Sequence, residues 1–432
     1  MKRIKLLITS TLVLVAMNVS AQRATFPELL LEKRYAELEK QLNHAISSDS
    51  AGYEHYYYLG LCKKAQYQFE EAREAFIRAR ECDSSSPFLL LSLGEIYRLM
   101  DQNSKAIETY QQVLEIDSTQ TEAWMNLGRI YQVTEQYHKA LPIYNELIGN
   151  DSTNYYYIKN MAMVYNNLDS IPQAINYYRK ALNIAPGNKE LYFQLARLYL
   201  SRNAYKLTDI YIGKGLHIDS TYSKLWRVKG LLEYNRKNYQ EAKSAYNHTL
   251  TYGDSTHTVH KFLGYCSYFT KDFTGAVEHL KEALPYDPEN KKVLFYLGMA
   301  TARTRYLDEA PRYLKMYLAV SLPDSSNLAD VYAEMGNIYR ARDELENSLK
   351  YYSKAFETYP SRKYLLFNMA SVLREKKEYE QAIEYYESYL AHTDTTEATG
   401  SVNEKNRRVY LRDMANQSIK RLKKEVFFQQ GE

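Results

Sequence analysis

The 432 residues carry a formal charge of only +4, and the first 21 hold Lys2, Arg3 and Lys5 with no acid, which leaves +1 for the remainder. That balance offers no basis for bulk nucleic-acid binding, which needs a strong positive field; the length by itself would allow two or three ordinary domains. Tyrosine stands out, with 44 residues against 13 Phe and 2 Trp, so the chain has much large amphipathic surface to bury.

The chain opens on the basic "MKRIK", an apolar run from Leu6 to Val19, and "VSAQ". This is the layout of an export signal over 1–21, cut after Ala21. The run is 14 residues, short for a bilayer span, which takes about 20. The alternative is an uncleaved anchor. No cysteine follows the expected cut to take a lipid, and no later stretch is apolar enough to span a bilayer. The mature chain is therefore expected in the periplasm of a bacterium, with secretion or attachment to the envelope as alternatives. Residues 22–52 contain one helical pattern, "FPELLLEKRYAELEKQLNHAISS", which resembles a second helix of a pair whose first helix is shortened.

Beyond residue 52 a register of 34 residues sets in. Gly60, Gly94, Gly128, Ala162, Ala196, Gly230, Gly264 and Gly298 keep step, and after a slip of four residues come Gly336 and Ala370. Twelve residues after each lies a second small residue: Ala72, Ala106, Ala140, Ala174, Thr208, Ala242, Ala276, Ala310, Ser348 and Ala382. Four further on comes a large one: Phe76, Tyr110, Tyr144, Tyr178, Ile212, Tyr246, Leu280, Leu314, Tyr352 and Tyr386. Apolar residues recur at helical spacing within each unit, as with Trp124, Leu127 and Tyr131. A short polar break such as "TEQYHK" (134–139) separates the two small positions. Each unit thus predicts a pair of antiparallel helices, drawn close by small residues, with the large residue filling the space beyond. A lone pair cannot cover its apolar face; stacked pairs can.

The pattern W-x2-L-G-x2-Y, then Ala, then an aromatic, resembles the tetratricopeptide repeat, most closely in "WMNLGRIYQVTEQYHKALPIYNELI" (124–148). The resemblance covers ten repeats over 53–392 and implies an all-α, right-handed superhelical solenoid with capping helices at 22–52 and 393–432. Departures are Lys229 in a Leu position and, in the fifth repeat, Thr208 and Gly215, which make its second helix the least regular expected. "SLPDSSN" (321–327) holds the four-residue insertion and is the expected hinge. In the C-terminal helix, over 402–427, Tyr410, Met414 and Leu422 are expected to face inward. Cys62 and Cys82 fall on different helices of one pair, about 12 Å out of step along the axis by the helical rise, beyond the reach of about 7 Å that a disulfide allows. Cys62, Cys82 and Cys266 are all expected as buried free thiols.

The triplet Asp-Ser-Thr recurs at 117, 151 and 219, where one pair ends and the next begins, and at 254, one residue out of step. Its Ser and Thr oxygens are expected to cap the new helix, and Thr119 to Glu122 has capping-box spacing. Asp, then Ser or Thr, then an apolar residue or Thr, also resembles an O-glycosylation acceptor pattern of some exported Gram-negative proteins. It fits Ser50, Ser118, Ser152, Ser170, Ser220, Ser255 and Thr395, all expected at exposed joints or turns.

No catalytic motif is present: no Gly-rich phosphate loop, HExxH, CxxC or Gly-x-Ser-x-Gly. His257, His260 and Asp254 come nearest to a metal cluster but fall short of a ligand set, and packing is the expected role of His260. Ten repeats leave no room for a separate catalytic domain. The expected function is a non-enzymatic scaffold, with no cofactor and no metal, that binds a protein or peptide.

The resemblance implies that first helices line the concave face and bind the partner there. The positions it assigns are Lys159, Asn166, Phe193, Arg197, Arg227, Tyr234, Lys261, Tyr265, Tyr268, Phe269, Phe295 and Arg303. Cations among aromatics suit an acidic peptide with apolar side chains. The carboxylate clamp of some relatives is not reproduced, since Met163 stands where it would need Asn. Two alternatives stay open: an assembly factor that binds through its edges and ends, and an accessory subunit that presents substrate to a separate enzyme. The eight Lys and Arg between 405 and 424 read first as the solvated face of a capping helix and second as a membrane-surface contact.

Overall fold

The computed structural model describes residues 24–48, 50–304, 307–321, 327–393 and 402–429, and among these no strand occurs. Helices α1 (Phe26–Leu31) and α2 (Tyr35–Ser47) come first. Successive helix pairs follow: α3 (Tyr53–Ala65) and α4 (Phe69–Cys82), α5 (Pro87–Leu99) and α6 (Asn103–Ile116), α7 (Thr121–Val133) and α8 (Tyr137–Asn150), α9 (Tyr155–Asn167) and α10 (Ile171–Ile184). Then come α11 (Lys189–Ser201) and α12 (Tyr205–Ile218), α13 (Ser223–Asn235) and α14 (Tyr239–Thr251), α15 (His257–Phe269) and α16 (Phe273–Ala283). The series continues with α17 (Lys291–Thr301) and α18 (Ala310–Val320), α19 (Leu328–Ala341) and α20 (Leu345–Thr358), α21 (Tyr364–Glu375) and α22 (Tyr379–Ala391), and ends on α23 (Val402–Gln429). The chain is an all-α helical solenoid, divided into two compact units that meet in sequence between Leu191 and Tyr192.

In the first unit, Leu29, Leu38 and Leu42 bury against Cys62; Phe76 packs with Leu89, Leu93 and Ile96; and Tyr110, Leu127, Tyr144 and Met161 share the next cluster. The second unit is built likewise, from Ile212 with Leu225 and Leu232, through Tyr246 with Leu263, to Tyr386 with Tyr389 and Leu422. Each cluster joins one pair to the next, so burial is local in sequence and repeats along the chain.

The contact that spaces each pair is steric. All ten large residues of the register are buried. A Cβ built on Gly60 would sit 2.5 Å from the Phe76 ring, on Gly230 2.8 Å from Tyr246, and on Gly264 2.4 Å from Leu280. The missing side chain on the first helix is therefore the hole that the second helix fills. Two of the tyrosines reach partners on the same first helices: Tyr144 donates to Gln132 at 3.1 Å and Tyr352 to Asn337 at 2.6 Å. Ser348 donates across its pair to the Gly336 carbonyl at 2.8 Å.

First helices other than α17 are followed by a left-handed residue. Lys33, Tyr67, Asp101, Glu135, Asp169, Asn203, Lys237, Lys271, Asp343 and Lys377 have φ between 54° and 66°. None is glycine, although glycine is the residue that takes this backbone at least cost. The following N–H reaches back five residues, Gln68 to the Lys63 carbonyl at 3.0 Å and Asn238 to Glu233 at 2.9 Å, which satisfies a carbonyl the helix end would leave open.

Four expectations need correction. Cys82, the last residue of α4, is exposed; Cys62 and Cys266 are buried, and burial pushes their thiols up to about 11 and about 12. Tyr410 is 63% exposed, while Ala415 joins Leu422 on the inner side of α23 and Met414 packs beside them. The helix of the fifth repeat, α12, is regular: the Thr208 hydroxyl donates to the Ala204 carbonyl at 3.1 Å, and Gly215 admits Leu225, whose Cδ1 would lie 2.4 Å from a Cβ there. The capping box at Thr119 does not form; Gln120 is the residue before α7, with no side-chain cap. The core of the expected hinge, 322–326, lies outside the described residues, as do the signal residues 1–21.

Two glycines separate packing from propensity. Gly264→Ala should lower stability by about 1–3 kcal/mol, because Leu280 and its own backbone close the space. Gly213→Ala, in α12 with nothing within 4 Å, should raise it by up to about 1 kcal/mol. Urea midpoints moving in opposite directions confirm the packing; both rising would contradict it.

Candidate partner-binding face

The first helices of the second unit carry an unbroken strip of aromatic rings. Tyr234 on α13 meets Phe262 edge-on at 5.1 Å and Tyr265 at 6.3 Å on α15. Tyr265 meets Tyr296 on α17 at 5.3 Å, and Tyr296 also contacts Tyr268 at 4.8 Å and Phe269 at 5.3 Å. Phe295 continues to Tyr317 on α18 at 5.6 Å. Tyr239, the first residue of α14, stacks on Phe269 at 4.2 Å. Most of these rings are half-buried: each packs an edge into the pair and leaves a part uncovered. Rings held on helices lose little further freedom on binding, which suits them to a contact surface.

Lys292 stands over the strip. Its Nζ lies 5.1 Å from the Tyr234 ring and 4.8 Å from the Tyr265 ring, and it donates to the Tyr234 hydroxyl at 2.7 Å. Partial burial among these rings lowers its ammonium pKa. The same burial pushes the Tyr234 and Tyr296 phenols up to about 12, so they stay neutral donors.

The expected face residues divide. Tyr234, Tyr268, Phe269 and Phe295 stand in the strip, with Lys261 half-buried beside it. Phe193 and Tyr265 do not offer surface: they are 8% and 2% exposed. Phe193 is buried with Leu225 and Val228, and rings of neighbouring first helices close over Tyr265. Arg227 is held by Asp254 at 2.8 Å, and Arg303 by Glu334 at 3.2 Å, so both charges are met within the chain. Arg197 is exposed and bonds Gln194. Lys159 and the half-buried Asn166 belong to the first unit, where Lys159 sits over the Tyr156 ring at 4.7 Å. Sequence reasoning missed Tyr239, Phe262, Lys292 and Tyr296. Lys292 lies six residues before Gly298, one turn ahead of the positions considered, and Tyr239 opens a second helix as Phe69, Tyr137, Tyr205 and Phe273 do.

The joints are Asp-centred turns. The Asp117 carboxylate accepts from the Thr119 N–H at 3.0 Å and hydroxyl at 2.7 Å; Asp151 holds Thr153 and Asp219 holds Thr221 in the same way. The aspartate thus supplies the oxygen that was expected of Ser and Thr. The middle serine is left outward, and its carbonyl accepts the indole N–H of Trp124 or Trp226 at Ser118 or Ser220. Ser50, Ser118, Ser152, Ser220 and Ser255 are exposed. Ser170 is only half-exposed, because it precedes α10 inside a pair; Thr395 lies outside the described residues.

Asp254 is taken by Arg227, His257 stacks on Tyr286 at 4.8 Å, and His260 Nδ1 lies 3.3 Å from His279 Nδ1, so Asp254, His257 and His260 do not converge. Burial, aided by His260, lowers the His279 pKa. Among the described residues no three His, Cys, Asp or Glu are grouped to hold a metal, and no helix is long and apolar enough to cross a membrane.

Tetratricopeptide-repeat family models match residues 94–133, 121–154, 160–188 and 323–394. The chain is a tetratricopeptide-repeat protein. Proteins of this repeat are protein–protein interaction scaffolds, and this one is read as such. No curated protein matches the chain. Similar solved structures include the C-terminal part of a TPR repeat-containing protein from Cytophaga hutchinsonii, at 16% identity over 63% of this chain and 98% of that one, TM-score 0.43. Others are a tetratricopeptide repeat protein from Parabacteroides merdae (16% identity, 66% and 98% covered, TM-score 0.40) and YrrB, described as a TPR protein with an unusual peptide-binding site (22% identity, 46% and 97% covered, TM-score 0.40).

The joints of this tetratricopeptide-repeat protein should report pH. Hydrogen bonds from Thr119 and Thr153 lower the pKa of Asp117 and Asp151 below the ordinary 3.8. A depressed carboxylate contributes stability that is complete above its unfolded value and is lost as pH falls through its folded one. Thr153→Val should raise the Asp151 pKa in an NMR titration and move acid unfolding to higher pH. An unchanged Asp151 titration would show that the turn does not hold the carboxylate.

Proposed function

We propose that this scaffold is exported and, in the cell envelope, holds an extended segment of a protein partner against the first helices of residues 223–301, without chemistry. The observation that carries the reading is the aromatic strip from Tyr234 to Phe295, in which half-buried rings are already fixed in place around the buried Tyr265. A segment with apolar side chains would cover the rings, and a carboxylate on it would meet Lys292 or Lys261, which no acid of the described chain pairs. The acidic character is narrower than composition suggested, since Arg227 and Arg303 are occupied by Asp254 and Glu334.

Export rests on the N-terminal pattern alone, and N-terminal sequencing of the mature chain tests it: a start at Gln22 supports it, a retained Met1 opposes it. The outward middle serines of the joints favour a second reading, as acceptors for O-glycans at Ser118, Ser152 and Ser220. Protein purified from its native host should then exceed the mass of the bare mature chain; equality would dismiss the modification.

Photo-cross-linking separates the face from the ends. A benzophenone side chain at Phe269 or Phe295 should capture the partner in the native host, and Lys261→Glu with Lys292→Glu should abolish that capture. Capture only from Leu31 or Tyr410, exposed at opposite ends of the described chain, would replace this reading with binding through edges and ends.

A further inference from the structure

The final helix has two sides. Leu411, Met414, Ala415, Ile419 and Leu422 face the cluster that contains Tyr386 and Tyr389. On the other side, Lys420, Arg421, Lys424, Phe427 and Phe428 fall within about 120° of arc at the helical turn of 3.6 residues. Phe427 and Phe428 are 74% and 68% exposed, their rings 5.9 Å apart. Lys420, Arg421 and Lys424 are exposed and take no acid partner among the described residues, whereas Lys423 is held by Glu387 at 2.8 Å. Glu425 is the one acid between 418 and 429.

We infer that this outer side of α23 docks on an anionic lipid surface. The phenyl pair would enter the boundary between headgroups and acyl chains, and the three cations would meet lipid phosphates, their flexible stems letting the charges rise to the headgroup level. Two adjacent rings projecting from a convex helix fit a bilayer interface, which needs no matching pocket; a protein partner would need a groove shaped for both. Pairing with a second copy would set the same three cations against one another in a two-fold contact. The inference is independent of the strip on α13 to α17, which lies on other helices.

The test uses the chain lacking residues 1–21, which no described helix includes. It should sediment with vesicles containing phosphatidylglycerol and not with pure phosphatidylcholine vesicles. Two variants, Lys420→Glu with Lys424→Glu, and Phe427→Ser with Phe428→Ser, should each weaken vesicle binding by at least about tenfold, given the usual worth of an interfacial cation and a buried ring. Circular dichroism must show that both variants stay helical; should either unfold, Lys424→Gln and Phe428→Ser alone are compared on the same scale. Failure of the parent chain to sediment overturns the inference. So does loss on charge reversal with no loss on Phe replacement, which marks a general polyanion site. A dimer in sedimentation velocity that the Phe variant dissolves overturns it in favour of self-association.

Discussion

In seven of the ten pairs the first helix lacks a side chain where the second inserts a large one, and in the other three it carries only the methyl of Ala162, Ala196 or Ala370. Gly230 receives Tyr246, Gly298 receives Leu314, and Gly336 receives Tyr352, at distances where a Cβ would overlap the incoming side chain. This contact sets how closely two helices approach, and the next cluster of apolar residues can form only at that spacing. Six of the 44 tyrosines stand at this position. There a phenol fills the hole with its ring and can bring its hydroxyl to a polar residue, as Tyr144 does at Gln132 and Tyr386 at Ser371, whereas the Tyr110 hydroxyl is buried without a partner among the described residues. Leucine at positions 280 and 314 fills the same hole with no polar end to place.

Because the nesting is settled inside each pair, other positions on the first helices are released from packing. In the second unit those positions hold rings that meet one another from helix to helix. The strip is thus a by-product of the register: residues one turn apart on successive first helices fall beside each other, and aromatics placed there join. Charge is handled differently. Cations that could have faced a partner are drawn into contacts between neighbouring repeats, Arg227 to Asp254 and Arg303 to Glu334, at 27 and 31 residues' separation. Both pairs are partly buried, and they remove charge from the face.

The parts of the fold that were legible in the amino-acid order are those where one residue's size decides the contact. Small at 60 and large at 76 can be read as a hole and its plug without coordinates. The turns were less legible. The left-handed residue after the described first helices other than α17 is Lys, Asp, Glu, Asn or Tyr, so the usual glycine marker was absent; only its recurrence betrays it. At the joints the Asp-Ser-Thr triplet announced a turn, yet its mechanism depended on which oxygen accepts, and that was the aspartate. The face was half legible. Helical position named Tyr234, Tyr268, Phe269 and Phe295, but burial of Tyr265 depends on rings about 30 residues away in either direction, at Tyr234 and Tyr296. Lys292 was passed over because its role comes from two tyrosines on other helices and not from its own neighbours in sequence.

The most direct test of the nesting is a double-mutant cycle between Gly264 and Leu280, read by urea unfolding. Leu280→Ala alone should cost about 2–5 kcal/mol, as truncation of a fully buried leucine does. In that background Gly264→Ala should cost nothing or restore stability, because the added methyl enters the vacated space, giving a coupling of about 1–3 kcal/mol. Additive losses, with no coupling between the two sites, would contradict the claim that side-chain absence on one helix is what seats the other.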